Sequence, residues 1–279
     1  MSAPAAGTRG ARLRLLARAA EYELRKVSVF RTGFLVREVL GGVFESLAMI
    51  AVFWALYEGD TERSLRGWRL PELVQYLVGV SIFTKLVFHN RLLDVAEQIF
   101  EGTFTKYLVM PFPYMILPLA RWVQYTAVQL CVVSLMWAAG ALLAPQWTPF
   151  AADAWAVSEA LALALLGSIC FLELFVILNF AAFWLEVVWS LLVMSWFVTS
   201  FIGGRLVPVS QMPAPLAAVL EWLFPYWAIA APVERFMGRL DGGDTLRGIL
   251  VLGVSAAGLD LLRRFVWGKG KTRYAGGGM

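Results

Sequence analysis

The segment AWAVSEALALALLGSICFLELFVILNFAAFWLEVVWSLLVMSWFVTSFIG, residues 154–203, decides the fold. It carries almost no charge. One helix crossing a hydrocarbon core about 30 Å thick uses about 20 residues. Residues 154–203 therefore hold two crossings. Asn179, followed by Phe180 and Ala181, marks the turn between them, and that turn must be tight.

Working outward, similar apolar blocks cover residues 34–57, 70–88, 114–143 and 245–266. Together they predict an all-α integral membrane protein with six transmembrane helices. The whole chain agrees. Of its 279 residues, 59% are hydrophobic and 16% charged, where soluble domains carry about 45–50% and about 25%. Twelve Trp and nineteen Phe add interfacial anchors, because Trp favours the membrane–water boundary.

Residues 204–238 are also apolar, but Pro208, Pro213, Pro215, Pro225 and Pro232 interrupt them. Proline removes a backbone donor and breaks helices. This stretch reads as short or re-entrant helices at a membrane face, where protein or water can satisfy the backbone. At the other end, residues 11–30 place Leu13, Leu16, Ala20 and Leu24 at helical spacing. Arg12, Arg14, Arg18, Arg25 and Lys26 take the other faces. A basic amphipathic helix of this kind lies on a membrane surface.

Basic residues cluster at both ends. Eight precede residue 38, and the tail carries Arg263, Arg264, Lys269, Lys271 and Arg273. An even span count puts both termini on one side, and because Lys and Arg mark cytoplasmic segments both are expected in the cytoplasm. The division is a tail and amphipathic helix over 1–33, a membrane domain over 34–266 and a basic tail over 267–279. The first thirty residues lack the short apolar core of a cleavable signal peptide. No basic face on a soluble fold invites nucleic acid.

Chemistry-bearing residues are few. His89 is the one histidine. It reads as a polar helix end or, if functional, a proton relay. Cys131 and Cys170 lie in apolar runs and read as packing residues. No metal-ligand cluster and no Gly-rich phosphate loop occurs. Glu45, Glu173 and Glu186 lie in or near apolar spans, where a carboxylate is costly and faces a partner or a water-filled path. Interface placement and a translocation role both remain open for them.

Residues 92–102 form a short amphipathic helix between two spans. Leu93, Ala96, Ile99 and Phe100 take one side; Asp94, Glu97, Gln98 and Glu101 make the other acidic. Gly102 offers the stop. As a bland alternative this is merely a surface helix.

The stretch AEQIFEGTFTKYLVMPFPYMILPLAR (96–121) resembles a segment of the membrane subunits of type-2 ATP-binding-cassette (ABC-2) exporters. Ile99, Gly102, Leu108 and Pro111 fit an I-x-x-G-x-x-x-x-x-L-x-x-P pattern. In residues 201–238, Gly204, Pro208, Pro213, Pro225 and Tyr226 stand where that family has a glycine, two spaced prolines and an aromatic beside a proline. The tail RRFVWGKGKTRYAGGG is similar to the family's basic end.

The resemblance implies that 11–30 is an interfacial helix. It also implies that 92–102 is a coupling helix seated on an ATPase, with Leu93, Asp94, Glu97, Ile99, Phe100, Glu101 and Gly102 at the contact. Residues 205–226 would then be extracytoplasmic re-entrant helices closing a gate. A second permease copy, or a non-identical permease, would complete the path in a bacterial cytoplasmic membrane. No Walker motif occurs in the chain, so ATP and Mg²⁺ would belong to a separate subunit. The alternatives are a structural or assembly subunit of a heteromeric complex and an integral membrane enzyme acting on lipids.

Overall fold

The computed structural model describes residues 9–29, 44, 47–60, 62–88, 94–143, 145 and 153–274. In chain order the helices are α1 (Arg9–Val29), α2 (Leu47–Leu56), α3 (Leu70–Val87), α4 (Asp94–Phe100), α5 (Thr105–Leu108) and α6 (Ile116–Leu143). There follow α7 (Ala154–Phe180), α8 (Trp189–Ile202), α9 (Ala214–Leu220), α10 (Phe224–Phe236) and α11 (Gly242–Arg273). A two-residue ladder, β1 (Ser64–Leu65) against β2 (Trp68–Arg69), precedes α3. Glu45, His89 and Leu93, and half of the block at 34–57, lie outside the described residues.

Local chemistry sets the helix starts. Asp153 accepts the Trp155 N–H at 2.8 Å and caps α7. Asp241 accepts the Asp244 N–H at 2.8 Å, and Asp244 accepts the Asp241 N–H, a reciprocal cap for α11. Proline opens α3, α9 and α10, where a missing N–H costs nothing.

Among the described residues, four helices are long and apolar enough to cross a membrane: α3, α6, α7 with its 3₁₀ extension to Phe183, and α11. The pair α9–α10, bent by 103°, makes a fifth if counted as one span. The apolar helices α2 and α8 are shorter. The protein is thus all-α and multi-pass. The turn expected at Asn179 falls just beyond it. Helix α7 continues through Phe180, a 3₁₀ turn covers Ala181–Phe183, and helix resumes at Trp189.

Helix α7 is the centre. Its apolar residues face all round, as suits a helix packed on several sides. Helix α10 runs antiparallel to it: Glu159 pairs with Arg235 at 2.5 Å, Gly167 meets Ala228, and Phe171 packs on Phe224. Helix α11 runs parallel to it, from Gly242 beside Glu159, past Leu252 beside Cys170, to Gly270 against Phe183. Buried Cys170 packs between the two helices, while Cys131 is exposed on α6. The outer side of α11 exposes Leu246, Leu250, Val254, Leu261 and Phe265, the surface expected where a helix meets lipid.

Close approach between α7 and α10 depends on Gly167. A Cβ built there would collide with the Cβ and backbone Cα of Ala228. Backbone cannot swing aside as a flexible side chain can. In an open helix Gly→Ala gains about 1 kcal/mol. Here Gly167→Ala is expected to lose about 1–3 kcal/mol instead. Thermal unfolding of the purified protein in detergent checks this, and a raised melting temperature would refute it.

Candidate functional site

Two constellations stand at opposite ends of the bundle. The first surrounds α4. Asn179, fully buried in the last turn of α7, donates to the Phe175 carbonyl at 2.7 Å and accepts the Ala96 N–H at 3.1 Å. A helix begins with N–H groups that have no partner within it. Asn179 satisfies one of them from another helix, and so fixes α4 against α7.

Val95 and Ile99, one turn apart, are buried, while Glu97, Phe100 and Glu101 are exposed. Phe100 therefore does not share the inward side with Ile99 as the sequence suggested. Successive helical residues point about 100° apart, and the inward stripe is Val95–Ile99. Asp94 begins the helix. Gly102 ends it with φ +77°, the left-handed conformation glycine adopts without penalty. The Phe104 N–H then reaches the Gln98 carbonyl at 2.9 Å.

Phe104 is completely buried and central to an aromatic cluster. Its ring lies 5.2–6.0 Å from those of Tyr107, Tyr114, Phe183, Trp267 and Tyr274. Tyr114 stacks on Trp267 at 5.3 Å. The Tyr274 hydroxyl donates to the Gly102 carbonyl at 2.7 Å. The cluster joins the α4 turn to α6, the 3₁₀ turn and the last turns of α11. Helix α1 lies at this end too, packed along α6, with Glu23 3.7 Å from Arg121 near the start of α6.

Beside α4 opens a cavity of about 350 Å³. Glu97 and Phe100 line it from α4, and Glu186, Val187, Trp189 and Leu192 from the segment after α7. Glu186 is exposed there. Glu173, by contrast, is buried within α7 and pairs with Arg263 of α11 at 2.5 Å. Arg263 also reaches Asp260, which pairs with Arg264 at 2.6 Å.

The opposite end is built from the proline-rich segment. Pro208 and Pro213 immediately precede the 3₁₀ turn Val209–Gln211 and α9, and Pro225 lies in the first turn of α10. Gly204, at φ +75°, offers its carbonyl to the Tyr76 hydroxyl at 2.7 Å. A Cβ there would lie 2.9 Å from that hydroxyl oxygen. Tyr226 donates to Glu234 at 2.8 Å, both buried. The hairpin straps this segment down. Trp68 Nε1 donates to Ser210 Oγ at 2.9 Å, and Arg66 donates to the Gln211 carbonyl. The Arg239 guanidinium lies 3.6 Å over the Trp68 ring and 2.6 Å from Glu72.

A family model described as ABC-2 family transporter protein matches residues 44–278. The chain belongs to the ABC-2 transporter family. No curated protein and no solved structure matches it. As a member of this family it is the membrane permease component of an ABC transporter.

In this permease the structure brings Glu97, Phe100 and Glu186 together at one cavity, and Gly204 and Tyr226 into one buried polar region. Glu173 stands apart in a helix–helix pair. Sequence reasoning missed Asn179 as the tether of α4, Phe104 and Trp267 as its seat, and Glu159, Arg235 and Glu234. A polar residue inside a long apolar helix was the available signal for Asn179, Glu159 and Glu234. Their partners were not readable.

Proposed function

We propose that this permease is the path-forming half of an exporter, working as a dimer and driven by a separate ATPase subunit that binds ATP and Mg²⁺. In this reading α4 is the coupling helix. Helix α1 lies on the cytoplasmic surface, both termini are cytoplasmic, and the bent pair α9–α10 closes the extracytoplasmic side. The membrane is a bacterial cytoplasmic membrane. The six spans are a first one ending in α2, then α3, α6, α7, α8 and α11. Helix α8 rises about 21 Å over its 14 residues, and the turns and bends over residues 203–207 complete its crossing.

The observation that carries this reading is the seating of α4. A seven-residue helix would be marginal alone. Here a buried Asn179 and the six-ring cluster centred on Phe104 hold it against the last turns of α7 and α11. A push on α4 is then carried by rigid helices rather than absorbed by a loop. The presence of α1 and the basic end of α11 beside it supports a cytoplasmic location.

The exposed residues make the test. Glu97→Lys, Phe100→Asp and Glu101→Lys together are expected to abolish copurification of the ATPase without lowering the melting temperature of the permease. A triple variant that retains the ATPase at wild-type stoichiometry would remove the coupling assignment. Ile99 is unsuitable for this purpose, because its burial makes Ile99→Asp a folding defect.

A further inference from the structure

We propose that the cavity between α4 and the 182–192 segment is a socket for a Lys or Arg side chain of the ATPase subunit. The inference rests on the docking reading of α4 and adds a second, separate element to it. Its walls are apolar: Phe100 from α4, and Val187, Trp189 and Leu192 from the other side. Two carboxylates, Glu97 and Glu186, line it from separate elements.

Such a site fits one kind of occupant. Lys and Arg bury an apolar stem while keeping a charged head at the surface. The stem matches the walls, and the head meets Glu97 and Glu186. The aromatic rings of Phe100 and Trp189 also favour a cation over an anion. A lipid phosphate would be repelled by both carboxylates, and an acyl chain would leave them without a counter-charge. The partner is the ATPase because Glu97 and Phe100, which α4 exposes, line the cavity beside half-buried Ala96. Glu101 extends the acidic strip beside them. Whatever covers this side of α4 covers the socket as well.

The test uses the full-length permease in lipid nanodiscs and the ATPase that copurifies with it, with affinity measured at low and high salt. Glu97→Gln with Glu186→Gln is expected to weaken binding about tenfold at low salt, as loss of two charge contacts would. The deficit should shrink at high salt, where the wild type itself loses screened attraction. Glu186→Lys alone should weaken binding further. Both glutamates are exposed, so unchanged melting temperatures verify that folding is intact.

Wild-type affinity and salt dependence in the Gln pair would overturn the socket. The triple variant above separates the two claims. If it abolishes binding while the Gln pair does not, docking through α4 stands and the socket falls. If neither variant matters, both fall. Loss of permease self-association with unchanged ATPase affinity would assign the cavity to a second copy, and would likewise overturn the proposal.

Discussion

Phe104→Ala is expected to lower the stability of the permease by about 3–5 kcal/mol, the range for removing a buried aromatic ring. The Phe104 ring has no exposed surface and touches five other aromatic rings. Those neighbours belong to different parts of the chain: Tyr107 and Tyr114 before α6, Phe183 after α7, Trp267 and Tyr274 at the end of α11. Truncation leaves a cavity that no single element can collapse to fill. Phe104→Leu retains most of the volume and should cost much less. Thermal unfolding in detergent ranks the variants. If α4 is the coupling helix, the alanine variant should also uncouple ATP hydrolysis from transport before it unfolds. A Phe104→Ala melting temperature equal to that of the wild type would show that the cluster does not hold this end together.

Arg263→Ala is expected to be equally damaging for a different reason. Arg263 and Glu173 have side chains 13% and 9% exposed. Removing one partner leaves a buried charge without compensation, a loss of about 3–5 kcal/mol. Replacing both removes the charge altogether, so Glu173→Leu with Arg263→Leu should recover most of that loss. Asp260 keeps Arg264 as its partner in the double variant. Arg263→Lys should restore little, because one guanidinium bridges Glu173 and Asp260 at once and an ammonium lacks that fork. Equal melting temperatures for the single and double variants would refute the pairing account. With the pair intact, Glu173 joins α7 to α11.

The apolar blocks near 70–88, 114–143 and 245–266, the proline-broken segment and the amphipathic helices were legible from the amino-acid sequence. Each depends on local properties: length against bilayer thickness, proline's missing donor, and the 100° step of a helix. Gly102 as the end of α4 was legible for the same reason. Where local rules were silent, expectations drifted. The inward side of α4 is Val95–Ile99 and not Ile99–Phe100, because only packing chooses between two apolar residues 100° apart. Asn179 was read as a turn residue. In the structure it stays helical, because its side chain bonds both its own helix and α4.

The sequence by itself therefore determined that this is a multi-pass helical membrane protein, with a proline-broken segment and a short helix between two spans. Chain length, hydropathy and proline placement are one-dimensional facts, and a bilayer converts them directly into topology. Tertiary structure alone decided that Asn179 meets Ala96, that Phe104 meets Trp267 and Tyr274, that Glu173 meets Arg263, and that Glu186 shares a cavity with Glu97. Those pairs lie 83, 163, 170, 90 and 89 positions apart in the chain. No helical period reaches across such separations. They are set by which helix packs beside which, and residues 154–203, apolar on every side, did not specify that choice.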